Sequence, residues 1–381
     1  MIVHVTFWAA VALVLYAYFG YPCLLVAISL VRRRGIRRMA ATCPVSFIIA
    51  AHNETSRIAA KIENTLAQDY PGHLEIVVAS DCSTDGTDDV VRGYAPRVRL
   101  VRTLERRGKE AAQQVAIAAT SGDILVFSDV ATALAPDGVS RITANFADPT
   151  VGCVSSVDRF VDADGQVSGE GAYVRYEMFL RALETQVNSV VGLSGSFFAA
   201  RRVVCRNWSA DRQSDFNTLL NSVQLGLRGV LDPSSIGYYH PIIDHRAEFQ
   251  RKVRTVVRGI SVLAGNLSLL NPLRYGLFAW QLASHKLCRW LVPVALVIAL
   301  VMNAVLAAYS PWYEATLGVQ LGFYGAVAGG WAGNRTLRIP FYFFVANFAI
   351  LMAWFRYARG ERMTTWSPSQ RPPALPQIYA R

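Results

Sequence analysis

A chain of 381 residues, 52% of them hydrophobic, has room for one soluble domain of ordinary size together with membrane segments. Its formal net charge of +11 does not signal nucleic acid: no nucleic-acid module accompanies it, and much of it flanks apolar runs, with Arg32, Arg33, Arg34, Arg37 and Arg38 after the first and Arg356, Arg359 and Arg362 after the last. The cysteines at 23, 43, 82, 153, 205 and 288 include no C-x-x-C pair, which excludes the usual zinc and redox spacings and fits isolated thiols in a reducing compartment.

Val5–Val31 is almost wholly apolar and exceeds the roughly 20 residues that span a bilayer. Its positive charge follows the apolar run, whereas a cleaved signal peptide carries it in front. Residues 1–35 therefore read as an uncleaved anchor whose C-terminal end faces the cytoplasm.

Residues 43–245 read as a soluble α/β domain. Strands are expected at Pro44–Ala51, His73–Ser80, Arg97–Thr103 and Ile124–Ser128, with helices at His52–Ala67 and Gly108–Thr120. Such alternation builds a mostly parallel sheet with right-handed crossovers, and ligands of these sheets sit beyond the carboxyl ends of the strands. His52–Glu54, Asp81 and Asp129 all fall at such ends.

Three stretches there carry chemistry. In ASDCSTDGT (Ala79–Thr87), Asp85 and Thr87 suit turn and cap positions, while Asp81 at the strand tip can accept hydrogen bonds from a base or ribose, or simply close the turn. In SFIIAAHNETSRI (Ser46–Ile58), Thr55 or Ser56 can cap the helix, and Asn53 and Glu54 sit at the ligand edge. GDILVFSDVATALAPD (Gly122–Asp137) delivers one carboxylate, Asp129, with Ala131 where a second metal-holding acid would stand.

Residues 246–290 are basic and interfacial in character. Arg251, Arg254 and Arg258 share a helical face that suits a diphosphate or, equally, anionic lipid headgroups. Tyr275–Trp290 mixes aromatic, apolar and basic residues like an interfacial helix. Within 291–356, Leu291–Tyr309, Leu317–Gly333 and Ile339–Phe355 are three membrane segments, and 357–381 is a basic, proline-rich tail. An anchor plus three full crossings would carry Arg359, Arg362 and Arg371 outside, so one C-terminal segment is expected to be re-entrant or interfacial.

Taken together, CPVSFIIAAHNET, YPGHLEIVVASDCSTDGT, GKEAAQQVAIAATSGDILVFSDVAT and SDF, in this order, resemble the membrane-bound family-2 glycosyltransferases of the polysaccharide-synthase-like branch. The likeness covers roughly residues 43–260 and implies a GT-A nucleotide-sugar-binding fold with a mixed, mostly parallel sheet flanked by transmembrane helices. It implies that Asn53, Glu54 and Asp81 contact the nucleoside. Lys109, on its own merely a solvated lysine at a helix start, would approach the base or pyrophosphate, and Asp129 would hold Mg²⁺ or Mn²⁺ against the diphosphate. Gly192–Ala200 would line the acceptor side, though by itself it could equally be a strand with close backbone approach, and Arg251 and Arg254 would meet the departing diphosphate. Asp215 would act as general base, though by itself it could equally cap a helix over Phe216–Val223.

The implied activity is inverting transfer from a nucleotide-diphosphate sugar, a UDP-sugar, to a hydroxyl of a growing polysaccharide or lipid-linked glycan. Its setting would be the cytoplasmic face of the plasma (inner) membrane, in contact with the lipid bilayer and other polysaccharide-assembly proteins. Two departures qualify the pattern. Ala131 replaces the second carboxylate, and Gln250 is followed by Arg254 with no tryptophan, where the synthases show Gln-x-x-Arg-Trp. Both motivate the alternative of a catalytically weak GT-A-like membrane subunit that serves as a binding or assembly partner, and the second argues against processive extension.

Overall fold

The run VSFIIAA forms strand β1 (Val45–Ala51) with every residue buried, as a central strand covered on both faces must be. It pairs in parallel with β2 (Leu74–Ser80) and with β4 (Ile124–Asp129), and β2 pairs in parallel with β3 (Val98–Arg102). The structure, a computed structural model, describes residues 1–161, 172–240 and 245–363. The tail from residue 364 on, with Arg371, lies outside the described residues. The four expected strands fall within one residue of β1 to β4.

Contacts divide the chain into two units, one holding Ile28–Asp244 and Ser261–Leu269, the other Met1–Ala27, His245–Ile260 and Leu270–Arg362. In the first, β5 (Ala133–Leu134), β6 (Val151–Phe160), β7 (Phe197–Arg201) and β8 (Arg228–Tyr239) complete an eight-stranded sheet in the order β3-β2-β1-β4-β7-β6-β8-β5. β7 runs antiparallel to both β4 and β6, β6 and β8 are parallel, and β5 is antiparallel to β8. The sheet is thus mixed, with its parallel half contiguous in sequence. Reversal at β7 has a local consequence: Phe197, at its start, pairs with Ser128, at the end of β4. The residues just before Phe197 are thereby brought to Asp129.

Helix Thr55–Leu66 buries Ile58, Lys61, Ile62 and Thr65, a spacing that defines one helical stripe. Ile58 and Ile62 join Phe47, Ile49, Val78, Val126 and Phe197 in one apolar core. Each fully buried side chain of this kind contributes about 1.5–3 kcal/mol of transfer free energy.

Among the described residues, three helices are long and apolar enough to cross a membrane: Ile2–Val31, Leu277–Ala307 and Arg338–Ala358. Two of the three expected C-terminal segments are among them. The remaining one is the 21-residue helix Pro311–Trp331, which carries Glu314, Gln320 and five glycines, Gly318, Gly322, Gly325, Gly329 and Gly330. The segment Tyr275–Trp290, expected as a separate interfacial helix, instead runs on into the span from Leu277: after Gly276, whose φ is +52°, no glycine or proline stands before Pro293, which the helix accommodates. Small residues permit close packing here: Phe7 and Ala10 meet Ala295, Ala299, Leu306 and Tyr313. Tyr16 Oη bonds Ser284 Oγ at 2.7 Å, and Trp354 Nε1 donates to the Trp290 carbonyl at 2.8 Å.

Candidate active site

The loops leaving β1 and β2 hold each other through short polar side chains. Asn53 takes a left-handed backbone, φ +52°, which asparagine tolerates, and its Oδ1 accepts the Thr84 amide at 2.9 Å. The Asp85 carboxylate accepts the Thr55 amide at 3.1 Å and the Thr87 amide at 3.0 Å. One side chain therefore caps two helices, Thr55–Leu66 and Thr87–Arg92. Neither Thr55 nor Ser56 caps its own helix, because the first helical turn faces this loop and Asp85 fills the role from across it. Burial opposes ionisation of Asp85, but the hydrogen bonds from Thr87 and Thr55 prevail and lower its pKa to about 2.

Glu54 is buried and pairs with Arg57 at 2.6 Å. Asp81, 1% exposed, accepts the amides of Arg107 and Gly108, each at 2.9 Å. A carboxylate at the start of helix Lys109–Ala119 is favourably placed against the helix dipole. Its effect is to fix the loop that launches Lys109.

Lys109 Nζ donates to Asp129 Oδ1 at 2.5 Å and to the Gly195 carbonyl at 2.9 Å. Burial alone would lower its pKa, but the Asp129 carboxylate, helped by Glu110 and Asp215, raises it above the ordinary lysine value. The Asp129 amide donates to the Ser196 carbonyl at 3.0 Å. A Cβ on Gly195 would lie 3.1 Å from Asp215 Oδ2, so the glycine leaves the approach to that carboxylate open. Asp215 sits inside the first turn of helix Ser214–Gln224 and is not its N-cap, which is Gln213. Gln213 Nε2 donates to Asp215 Oδ2 at 3.1 Å. Asp129, Lys109 and Asp215 are thus gathered around Gly195 on the carboxyl side of the parallel strands. Arg251 and Arg254 belong to the second unit, on helix His245–Ala264, where Arg251 makes a two-pronged pair with Glu248 at 2.8 and 2.9 Å.

For a divalent cation the described residues bring together no group of three His, Cys, Asp or Glu side chains. Asp129 offers hard carboxylate oxygen, which suits Mg²⁺ or Mn²⁺, but one oxygen already receives Lys109. The set fits a cation shared with a diphosphate, and does not fit one held by side chains alone.

Two residues went unremarked in the sequence. Asp158 on β6 accepts Ser194 Oγ at 2.7 Å and also Ser196 Oγ, tying the 194–196 loop to the sheet. Burial raises its pKa, against the pull of Ser196 and Ser194, and the nearby charge of Asp129 adds to the rise. Lys61 is 3% exposed, and its Nζ donates to Ser128 Oγ at 2.8 Å and the Thr132 carbonyl at 2.6 Å. Its place in the stripe of Ile58, Ile62 and Thr65 was the available signal.

With this geometry, residues 46–208 match the family model described as Glycosyl transferase family 2. The domain belongs to glycosyl transferase family 2. This family 2 domain is similar to the succinoglycan biosynthesis protein ExoO of Rhizobium meliloti (strain 1021), 27% identical over 212 residues, or 51% of this chain and 60% of that protein. It is similar also to an N-acetylglucosaminyltransferase of Bradyrhizobium elkanii, 34% identical over 113 residues, or 28% of this chain and 62% of that protein. The chain therefore spans about three fifths of the length of these two relatives. Among solved structures, the mannosyltransferase PcManGT from Pyrobaculum calidifontis, in complex with GDP-Man and Mn²⁺, superposes with a TM-score of 0.75 at 22% identity, covering 94% of this chain and 99% of that one. The fold is GT-A.

Proposed function

We propose that this family 2 protein is an inverting glycosyltransferase that moves a sugar from a nucleotide-diphosphate sugar, a UDP-sugar, to a hydroxyl of a growing polysaccharide or lipid-linked glycan. The observation that supports it is the convergence of Asp129, Lys109 and Asp215 on Gly195. In this reading Asn53, Glu54 and Asp81 contact the nucleoside, Glu54 and Asp81 also holding the loops around it. Lys109 offsets charge on the diphosphate, and Asp129 would hold the Mg²⁺ or Mn²⁺ ion that, when bound, offsets more of it. Asp215 takes the acceptor hydroxyl's proton as that oxygen bonds to the anomeric carbon from the face opposite the leaving group. The bond from that carbon to the diphosphate breaks, and the nucleoside diphosphate departs with its electron pair. Arg251 and Arg254 serve the departing diphosphate or the headgroups of the lipid bilayer.

The setting we propose is the cytoplasmic face of the plasma (inner) membrane, from the arginines that follow the first apolar helix. There the protein would work with other polysaccharide-assembly proteins, as the name of the ExoO relative suggests. The test is a panel of nucleotide sugars offered to purified full-length protein with Mg²⁺ or Mn²⁺. Transfer or hydrolysis of one donor supports the reading; absence of turnover and of nucleotide binding across the panel refutes it. Nucleotide binding without turnover would point to the weak or silent assembly subunit instead.

A further inference from the structure

We infer that Lys61 is a positioning residue of the donor site: its buried ammonium clamps the turn Ser128–Thr132 and so sets the direction in which Asp129 presents its carboxylate. The inference rests on reading Asp129 as the donor-side ligand. The two bonds from Lys61 reach the residue before Asp129 and the carbonyl three residues after it. Between them, the Thr132 amide donates to the Asp129 carbonyl at 3.2 Å, closing the turn. Ser128 Oγ also reaches the Asp129 carbonyl at 3.4 Å and Lys109 holds the Asp129 carboxylate itself, but neither bridges the turn from end to end. Val130 and Ala131 have no hydrogen-bonding group, and Thr132 Oγ1 is buried without a partner among the described residues. The lysine pays for this place in desolvation. It is 3% exposed, packs against the Phe47 ring with Nζ 5.3 Å from the centroid, and forms no ion pair within 4 Å among the described residues. A methionine would fill the same volume without that penalty, so what the ammonium adds is the clamp.

The experiment measures binding of UDP and of GDP to purified full-length protein, once with MnCl₂ and once with EDTA. The ratio of the two dissociation constants reports how well Asp129 joins the nucleotide and the cation. In Lys61→Met that ratio should fall about tenfold, the size of effect that outer-shell partners of metal ligands have, while the affinity in EDTA stays within about twofold of wild type. Asp129→Asn should abolish the ratio, and adding Lys61→Met to it should change nothing more. Ser128→Ala removes one of the two anchors with a smaller perturbation and should show part of the same loss, which keeps the test open if Lys61→Met fails to fold. An unchanged ratio in both variants overturns the inference. So does an equal loss with and without Mn²⁺, which is the mark of a merely structural lysine. A wild type that binds nucleotide with no gain from Mn²⁺ also overturns it and leaves the glycosyltransferase reading intact, whereas a wild type that binds neither nucleotide sinks both.

Discussion

Lys61→Met should make the stability of the protein less dependent on pH. Burial lowers the pKa of Lys61 from 10.5 to about 7, with the neighbouring Asp129 charge resisting the fall. In the unfolded chain the group titrates near 10.4. Between these values the unfolded chain binds a proton that the folded chain does not, so stability rises with pH. The contribution is present in full above the unfolded pKa and is lost as pH falls through about 7. One pK unit is worth about 1.36 kcal/mol, and half of the folded molecules are still protonated at the start of the interval, so raising the pH from 7 to 9 should stabilise wild type by about 2 kcal/mol more than Lys61→Met. For a domain of this size that is about 4–8 °C in Tm. The assay is thermal unfolding followed by tryptophan fluorescence in detergent, with both proteins at pH 6, 7, 8 and 9. Other titrating groups are common to both and cancel in the difference. Parallel Tm profiles would show that Lys61 is not desolvated and would refute the argument.

Asp215→Asn should lower kcat by about 10²–10⁴-fold, the range for removing a general base, while nucleotide affinity measured by calorimetry stays near wild type. Gly195→Ala puts a methyl 3.1 Å from the Asp215 carboxylate and should reduce kcat/KM for the acceptor more than for the donor in steady-state assays. Ala131→Asp should let Mn²⁺ bind measurably without nucleotide; tight Mn²⁺ binding by the wild type alone would contradict the reading of Ala131. Asp85→Ala uncaps two helices and should cost about 1–4 kcal/mol in denaturant titrations, at roughly 0.5–2 kcal/mol per cap.

The parallel half of the sheet was legible because each inner strand is a short apolar run ended by a polar residue. Of the remaining strands only β7 was touched on, as one of two readings of Gly192–Ala200. Arg228–Tyr239 contains Pro233, and its pairing with Val151–Phe160 is interrupted by register shifts, so neither run has a clean period to read. Phe197–Arg201 is defined by its antiparallel partners, Ile124–Ser128 and Cys153–Ser155, which lie far away in sequence. In the site, Asp129 and Asp81 announced themselves as carboxylates at strand tips. That Asp81 spends both oxygens on the Arg107 and Gly108 amides depends on a loop closure no local pattern encodes. Lys61 was hidden for the opposite reason: a lysine in a helix reads as solvated unless its neighbours at three and four residues are seen to be buried.

The reversal at β7 also partitions the domain along its sequence. Asn53, Asp81, Lys109 and Asp129 lie in one uninterrupted segment that ends with β4, whereas Gly195 stands just ahead of β7 and Asp215 follows it. On the proposed reading, a chimaera exchanging residues 192–224 with the matching segment of a family 2 relative would replace the acceptor side and leave Asn53, Asp81, Lys109 and Asp129 in place. What such a graft must preserve is the seam between β4 and β7, where Phe127 stacks on Phe198 with ring centroids 4.7 Å apart.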